Sequence, residues 1–192
     1  MDDVGSRPME LEQERRAGVR DEELALAARS DPVAFGILYE RHRLAVFRYL
    51  RTRTTNEDDA ADLTAVAFEK ALIAMPRYRP AGGGFLAWVL RIARNAAIDA
   101  GRRATTVPLD QVSAAGDSGS TPESHVLAAE SRESLADAVT RLPDVQREAI
   151  VLRYAARLTA REIGAVIGKS ESASQKVITR AITTIRETYR ER

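Results

Sequence analysis

The stretch Leu158–Tyr189, LTAREIGAVIGKSESASQKVITRAITTIRETY, gives the clearest indication of the fold. Thr159 and Glu162 have the spacing of a capping box, in which a hydroxyl and a carboxylate each bind a free backbone amide at a helix N-terminus. Gly168 follows the apolar residues of this short helix and permits a tight turn. Ser170 then offers a cap for a longer helix. The stretch therefore predicts two helices joined by a glycine turn.

The longer helix separates apolar from polar side chains. Its inward positions carry Val177, Ile178, Ala181 and Ile185. Its outward positions carry side chains that can hydrogen-bond bases or phosphates, namely Gln175, Lys176, Thr179 and Arg180. This layout is typical of a helix-turn-helix, whose second helix enters the DNA major groove. We therefore expect DNA binding here, and a helical hairpin without a nucleic-acid role stays open as the alternative.

A second stretch, Phe85–Arg103, predicts one helix with two kinds of surface. Apolar residues recur at three- and four-residue spacing, as on a buried face: Phe85, Trp88, Val89, Ile92 and Ala96. Its polar side chains are one acid, Asp99, and five cationic or amide residues: Arg91, Arg94, Asn95, Arg102 and Arg103. A protein core requires only the apolar half, so packing alone does not account for this helix.

The composition favours helices and excludes several functions. Of the 192 residues, 44% are hydrophobic but only 5% are aromatic, and the small residues suit close helix packing. The chain has no cysteine, which excludes disulfides and thiolate metal sites. Its two histidines, His42 and His125, leave little for zinc binding or histidine catalysis. We expect no metal, no cofactor and no enzyme activity.

No apolar run approaches the ~20 residues of a membrane span. The N-terminus, MDDVGSRPMELEQERR, is highly charged and lacks the apolar core of a signal peptide. We therefore expect a soluble, cytoplasmic protein without membrane insertion.

The net charge of +1 conceals an alternation along the chain. Residues 23–103 hold thirteen bases and nine acids, residues 104–140 hold one base and six acids, and residues 141–192 hold eleven bases and six acids. Two basic blocks separated by an acidic one suggest two modules that face a polyanion. An uneven surface charge without function is equally compatible with the charge pattern alone.

Local signals divide the first basic block into helices. Asp31 followed by Pro32 predicts one helix start. The acids at residues 57–59 predict another, and Pro76 predicts the end of that helix. His42 lies on an apolar stripe without a visible ligand partner, which favours an ordinary packed or hydrogen-bonded histidine over a metal ligand.

After Arg103 the sequence becomes rich in Ser, Thr, Gly and Pro, as in ATTVPLDQVSAAGDSGSTPES, which is typical of a linker. We therefore expect an all-α fold of two small helical domains joined by a flexible acidic linker, with the helix-turn-helix in the second. The predicted boundaries are a flexible N-terminal extension over residues 1–22, a first domain over 23–103, a linker over 104–129 and a second domain over 130–192.

These features together resemble an extracytoplasmic-function (ECF) sigma factor of bacterial RNA polymerase. The first domain is similar to the family's promoter −10 domain, region 2, through AFGILYERHR, DLTAVAFEKALIAMPRYRP and FLAWVLRIARNAAIDAGRR. The second is similar to the −35 domain, region 4, through LPDVQREAIVLRYAARLTAREIGAVIGKSE. The resemblance implies an alternative sigma factor that binds core polymerase, recognises both promoter elements and promotes DNA melting.

The resemblance also assigns roles to residues. In this family the helix similar to Phe85–Arg103 and the loop before it bind the non-template strand of the −10 element, here through Tyr78, Arg79, Gly83, Trp88, Arg91, Arg94 and Asn95. Arginines attract phosphates, and extruded bases require stacking or hydrogen-bonding partners. For Trp88, packing and a role in melting both stay open. The −35 element is assigned to Ser170, Gln175, Lys176, Thr179 and Arg180.

Core polymerase binding is implied for the helix that contains DLTAVAFEKA, through Asp62, Leu63 and Glu69 against the polymerase clamp. Ala65 and Val66 stand where the family commonly has a polar pair, so the contact is expected to depend more on Asp62 and Glu69. Thr179 and Ile182 stand where basic or aromatic residues are frequent, which implies modest −35 affinity or an unusual −35 preference.

The implied partners are the clamp and flap of core RNA polymerase, promoter DNA and an anti-sigma factor. The acidic linker would thread toward the polymerase cleft, with a plain tether as the alternative. A stand-alone helix-turn-helix regulator is the main competing interpretation, but it leaves the arginine-rich helix unexplained. A helical enzyme is disfavoured because the chain has no GxxxxGK[ST] motif and no convincing His–carboxylate pair.

Overall fold

The computed structural model describes residues 18–104 and 135–190, and the regular structure within these ranges is helical. The all-α prediction and the division into two helical domains are confirmed. The predicted flexible extension and the linker lie almost entirely outside the described residues. We call residues 18–104 the first module and residues 135–190 the second module.

The first module consists of four α-helices and one short 3-10 helix. They are α1 (Asp21–Ala27), α2 (Pro32–Arg51), α3 (Glu57–Ala74), the 3-10 helix (Met75–Arg77) and α4 (Gly84–Ala104). As predicted, Asp31 caps α2 by accepting a hydrogen bond from the Val33 amide at 2.9 Å, and Pro32 is the first residue of the helix. Asn56 caps α3 in the same way through the Asp59 amide at 2.7 Å.

The second module contains helical residues 135–140 and then α5 (Asp144–Tyr154), α6 (Ala160–Ile167) and α7 (Glu171–Arg190). The predicted capping box is present: the Thr159 amide donates to Glu162 Oε2 at 2.7 Å, and the Glu162 amide donates to Thr159 Oγ1 at 3.3 Å. Gly168 ends α6 with a left-handed φ of 72°, and Ser170 accepts from the Ala173 amide at 3.3 Å. All three predicted signals therefore act as expected.

Gly164 brings α6 and α7 close together. A Cβ at this position would lie 2.5 Å from the Lys169 carbonyl oxygen and 3.0 Å from Ser174 Oγ. Such distances are too short for any side chain larger than hydrogen, so the turn closes tightly only with glycine. Ser174 is fully buried in this contact and donates to the Ser170 carbonyl at 2.9 Å.

The core of the first module is aromatic at its centre and alanine-rich around it. Phe35 meets Phe68 and Phe85 edge to face, with ring centroids 6.4 and 6.3 Å apart, a favourable aromatic geometry. Alanines fill the contacts between helices, so α3 and α4 lie close together. Buried apolar residues of both modules belong to one continuous core, which joins Leu90 in α4 to Ile163 in α6.

Candidate nucleic-acid and polymerase interfaces

The N-terminal half of α7 presents the predicted −35 residues to solvent. All five are exposed: Ser170, Gln175, Lys176, Thr179 and Arg180. The opposite face of α7 is buried, with Ser174 at 0%, Ile178 at 5% and Ala181 at 0% exposure. The helix therefore has one packed face and one polar, basic face, as a helix that enters a DNA groove requires.

The loop before α4 and the first turns of α4 line a cavity of about 310 Å³. Three arginines, Arg77, Arg79 and Arg91, stand around it together with Trp88. Three positive charges beside an aromatic ring suit a phosphate with its attached base. The sequence predicted three of these four residues and missed Arg77, which lies in the 3-10 helix before the loop.

Trp88 both packs and faces the cavity, so the two interpretations of this residue are compatible. Its ring centroid lies 4.9 Å from that of Tyr78 and 5.8 Å from that of Phe85. Tyr78 is only 3% exposed, and burial raises its pKa above the usual value. A DNA base therefore cannot reach the Tyr78 ring in this conformation, and the visible role of Tyr78 is to support Trp88.

The predicted strand-binding residues of α4 divide between two directions. Arg91 and Asn95 lie one turn apart and are both exposed. Arg94 instead points toward the second module, where its Nε lies 3.7 Å from Glu148 Oε1. The structure therefore groups Arg91 with Asn95 and separates Arg94 from them.

Gly83 of the predicted −10 loop is covered by α6. A Cβ on Gly83 would lie 2.7 Å from the Cβ of Ala165 and 3.3 Å from the Cα of Glu162. The loop backbone is therefore in direct contact with the second module. Sequence reasoning gave no sign of this contact, because Gly83 and Ala165 carry no side chain that would mark them as partners.

Glu148 on α5 is a second residue that the sequence did not single out. It is 8% exposed, and it accepts a hydrogen bond of 2.8 Å from the buried Tyr49 hydroxyl. Its other oxygen forms an ion pair with Arg53, whose guanidinium lies 4.6 Å from the centroid of the Tyr49 ring. Burial raises the pKa of Tyr49, which keeps its hydroxyl protonated as the donor.

Of the predicted polymerase-binding residues, Asp62 and Glu69 lie on the exposed side of α3, and Leu63 lies at its border with the core. Asp62 and Glu69 are exposed and Leu63 is half-buried, while Ala67, Phe68 and Ala71 pack into the core. The exposed side also includes Leu72 at 47% and Ile73 at 75% exposure. Sequence reasoning missed these two, although apolar residues beyond the buried stripe of a helix are a signal for a partner.

His42 is a hydrogen-bonded residue of the first module, in agreement with its interpretation from the sequence. Its Nε2 lies 2.6 Å from Asp21 Oδ2, and Arg41 binds the other oxygen of Asp21 at 2.7 Å. Burial lowers the pKa of His42, against the opposing effect of Asp21. Residues 18–104 and 135–190 contain no cluster of three His, Cys, Asp or Glu side chains that could hold a metal ion.

No helix in the described part of the chain has both the length and the apolar character needed to cross a bilayer.

Comparison with protein families finds two matches, which follow each other along the chain. Residues 38–106 match Sigma-70 region 2, and residues 132–185 match Sigma-70, region 4. The first match contains the predicted −10 and polymerase-binding residues, and the second contains the predicted −35 residues.

Individual relatives and structures agree with these matches. The ECF RNA polymerase sigma factor BldN of Streptomyces coelicolor is 33% identical over 96% of this chain and 66% of its own length. The ECF RNA polymerase sigma factor ShbA of Streptomyces griseus is 33% identical over 78% of this chain and 84% of its own length. Among solved structures, CnrH in complex with the cytosolic domain of CnrY is 26% identical, with a TM-score of 0.64, over 89% of this chain and 97% of CnrH.

Proposed function

Because this chain belongs to the ECF RNA polymerase sigma factors, it is an alternative sigma factor that initiates transcription, and we propose how its residues divide that work. The observation that supports the division is the separation of three surfaces. The basic face of α7, the arginine cavity beside α4 and the acidic-apolar side of α3 lie on different helices. Each surface has the chemistry of a different partner.

The exposed face of α7 is proposed to read the −35 element while the DNA is double-stranded. Gln175 has the donor and acceptor of an adenine contact, and Lys176 and Arg180 have the donors for guanine or phosphate. Ser170 and Thr179 offer hydroxyls at the edge of the same face. A helix-turn-helix formed by α6, the Gly168 turn and α7 would place these residues in the major groove.

The −10 element is proposed to bind as a separated strand along α4 and the loop before it. Arg79, Arg91 and Arg94 would hold phosphates, which positions the strand without reading its sequence. Asn95 would hydrogen-bond an extruded base, and Trp88 would stack on a neighbouring base or on the edge of the opened duplex. Tyr78 and Gly83 would shape the site, the first by supporting Trp88 and the second by allowing close approach of the loop.

Core RNA polymerase is proposed to bind the exposed side of α3. Asp62 and Glu69 supply charge, and Leu63, Leu72 and Ile73 supply apolar area. Apolar area contributes most to affinity at protein interfaces, while charges steer association. Ala65 and Val66 replace the polar pair that is common in the family, so these five residues are proposed as the main contacts. The second module would reach the polymerase flap, and residues 104–129 would connect the two modules within the polymerase.

An anti-sigma factor is a further proposed partner. CnrH, which resembles this chain, was solved in complex with the cytosolic domain of CnrY. A location in the cytoplasm follows from the proposal, because RNA polymerase and promoter DNA are there.

Run-off transcription tests the proposed function. The full chain is combined with purified core RNA polymerase and fragments of the genomic DNA, and the transcripts are sequenced at their 5′ ends. We expect discrete start sites with a shared upstream sequence at the −35 and −10 positions. A chain that binds duplex DNA tightly without polymerase and yields no transcripts would instead be a stand-alone regulator.

A further inference from the structure

The arginine cavity beside α4 holds more positive charge than one phosphate of a DNA strand neutralises. Arg77, Arg79 and Arg91 surround a single space of about 310 Å³ together with Trp88. We propose that this space binds a free nucleoside polyphosphate, which competes with the −10 strand. The competition rests on the function proposed above, whereas the ligand site rests on the cavity alone.

Buried neighbours bring two of the arginines to the cavity from one anchored segment. Met75 and Tyr78 are 1% and 3% exposed, and the Tyr78 amide donates to the Met75 carbonyl at 2.9 Å. Arg77 and Arg79 flank the buried Tyr78, and both are exposed and line the cavity. Packing of Met75 and Tyr78 therefore fixes the backbone from which both guanidinium groups extend.

Small residues keep the centre of the cavity open. Apart from the three arginines and Trp88, its lining consists of alanines and glycines of the loop, α4 and α6: Ala81, Gly83, Gly84, Ala87 and Ala165. The volume lies at the lower end of the ~300–1,000 Å³ that is typical of small-molecule sites. The space therefore suits a compact ligand such as one nucleotide.

The arginines of the cavity have no acidic partner in the described part of the chain. Residues 18–104 and 135–190 provide none of the three with an ion pair, whereas Arg41, Arg43 and Arg53 each pair with an acid. Glu162 lies beside the loop, but its carboxylate is bound in the capping box of α6. Three like charges around one space repel each other, and an anion between them removes this repulsion. The cavity therefore favours a ligand with several negative charges.

The number of charges favours a free polyphosphate over the strand. A strand carries one negative charge per phosphate, and these charges are distributed along its length. A terminal phosphate group carries about −1.5 to −2 near pH 7, so a nucleoside diphosphate brings about three negative charges into one place. Its oxygens can accept paired hydrogen bonds from each guanidinium group.

Trp88 supplies a contact for the base. The indole is half-buried, and its ring centroid lies 4.9 Å from that of Tyr78, which supports it from the core side. An aromatic face binds any base by stacking, so the site accepts purine and pyrimidine nucleotides. The arginines therefore bind the phosphates, and Trp88 favours a nucleotide over an inorganic polyphosphate.

Competition with the strand follows from the position of Arg91. This arginine lines the cavity and lies one turn before Asn95 on the exposed face of α4. A nucleotide bound to Arg91 occupies a guanidinium group that the −10 strand requires, while Asn95 stays accessible. The −35 duplex binds at α7, which does not line the cavity, so its binding is unaffected.

Calorimetric titration of the full chain, without polymerase, DNA or magnesium, tests the site. Adenosine diphosphate is the probe, and pyrophosphate is the matched ligand without a base. We expect pyrophosphate to bind about tenfold more weakly, since one base–aromatic stack is lost. Trp88 is the single tryptophan of the chain, so quenching of its emission by adenosine diphosphate locates the base.

Arg77 distinguishes this site from a general attraction of anions to the protein. Arg77→Gln is expected to weaken binding of adenosine diphosphate by about tenfold through loss of a charge-assisted contact, and Arg77→Lys is expected to restore part of the loss. Arg48→Gln is the matched control, because Arg48 is exposed on α2 and does not line the cavity. Far-UV circular dichroism checks that the variants keep their helices. Equal weakening by Arg77→Gln and Arg48→Gln would overturn the site.

A fluorescent single-stranded DNA of random sequence measures the competition. Adenosine diphosphate is expected to displace this strand, whereas the same sequence as a duplex is expected to stay bound through α7. Absence of Trp88 quenching, or equal affinities for adenosine diphosphate and pyrophosphate, would overturn the nucleotide site. Binding of adenosine diphosphate without displacement of the strand would overturn the competition. A failed run-off assay would instead overturn the proposed function and leave the titrations of the cavity valid.

Discussion

At the scale of single residues, Asn95 is a side chain whose proposed role comes late in transcription initiation. It is exposed on α4 beside Arg91, away from the core and away from the polymerase side of α3. Its proposed role therefore begins only after a base has left the DNA stack.

We expect Asn95→Ala to fold and bind core polymerase normally but to form fewer open complexes on duplex promoters. Extruding a base costs a few kcal/mol, and the lost hydrogen bond to that base contributes about 1–3 kcal/mol. Permanganate footprinting of the −10 region measures the opening. A pre-melted template should restore part of the loss because the opening cost is already met. Unchanged footprints on the duplex would mean that Asn95 is only a solvated amide.

Also at the residue scale, His42 is expected to make the stability of the protein depend on pH. Burial lowers its pKa below the usual 6.5, so the unfolded chain takes up a proton more readily than the folded one. The stability contributed by neutral His42 is present above about pH 6.5 and is lost as the pH falls through the folded pKa. Urea unfolding between pH 5 and 8 should show this decline in the wild type and a smaller one in His42→Gln. Parallel curves would contradict the prediction.

At the scale of elements, two helical glycines are expected to respond in opposite ways to replacement by alanine. Gly164 lies where a Cβ would meet the Lys169 carbonyl at 2.5 Å, whereas a Cβ at Gly36 in α2 would meet nothing within 4 Å. Gly164→Ala is expected to destabilise the protein by about 1–3 kcal/mol through overpacking. Gly36→Ala, the matched control, is expected to stabilise it by up to about 1 kcal/mol through helix propensity. Chemical denaturation measures both, and equal effects would mean that the α6–α7 contact relaxes easily.

The exposed face of α7 makes a prediction about DNA reading. Replacing Gln175 by Ala is expected to cost about 1–3 kcal/mol and to relax preference at one position of the −35 element. Replacing Lys176 and Arg180 together is expected to weaken binding to all sequences and to flatten its salt dependence if both contact phosphates. Selection of promoter variants at two salt concentrations separates these effects. If replacing Gln175, Lys176 and Arg180 left promoter selection unchanged, another helix would recognise the −35 element.

At the scale of the whole molecule, the shared core predicts how the protein unfolds. Buried residues of both modules belong to one cluster, and Glu148 adds a polar contact between them. We therefore expect a single calorimetric transition for the wild type. Ala165→Arg disrupts the contact between modules and is expected to separate the transition into two, one for each module. Two transitions in the wild type would show that the modules unfold independently.

The sequence by itself determined the local structure and the division of the chain. A capping box acts over three residues and a glycine turn over two, so Thr159, Glu162 and Gly168 behave as their spacing predicts. Four of the five −35 residues, Gln175, Lys176, Thr179 and Arg180, are exposed because helical periodicity places them opposite the apolar stripe of α7. Asp62 and Glu69 came from the family resemblance and not from periodicity, and both are exposed on α3.

Only the tertiary structure decided how the two modules meet. Tyr49 and Glu148 are 99 positions apart, and no pattern near either residue indicates the other. Gly83 and Ala165 meet because both residues are small, and small residues leave no signal of their partner in composition or period. For the same reason the resemblance placed Tyr78, Gly83 and Arg94 on an open DNA surface, whereas Tyr78 is buried against Phe85 and Trp88, Gly83 is covered by α6 and Arg94 faces Glu148. Contacts within a helix are fixed by local geometry, but docking depends on shape and charge over the whole surface of both modules.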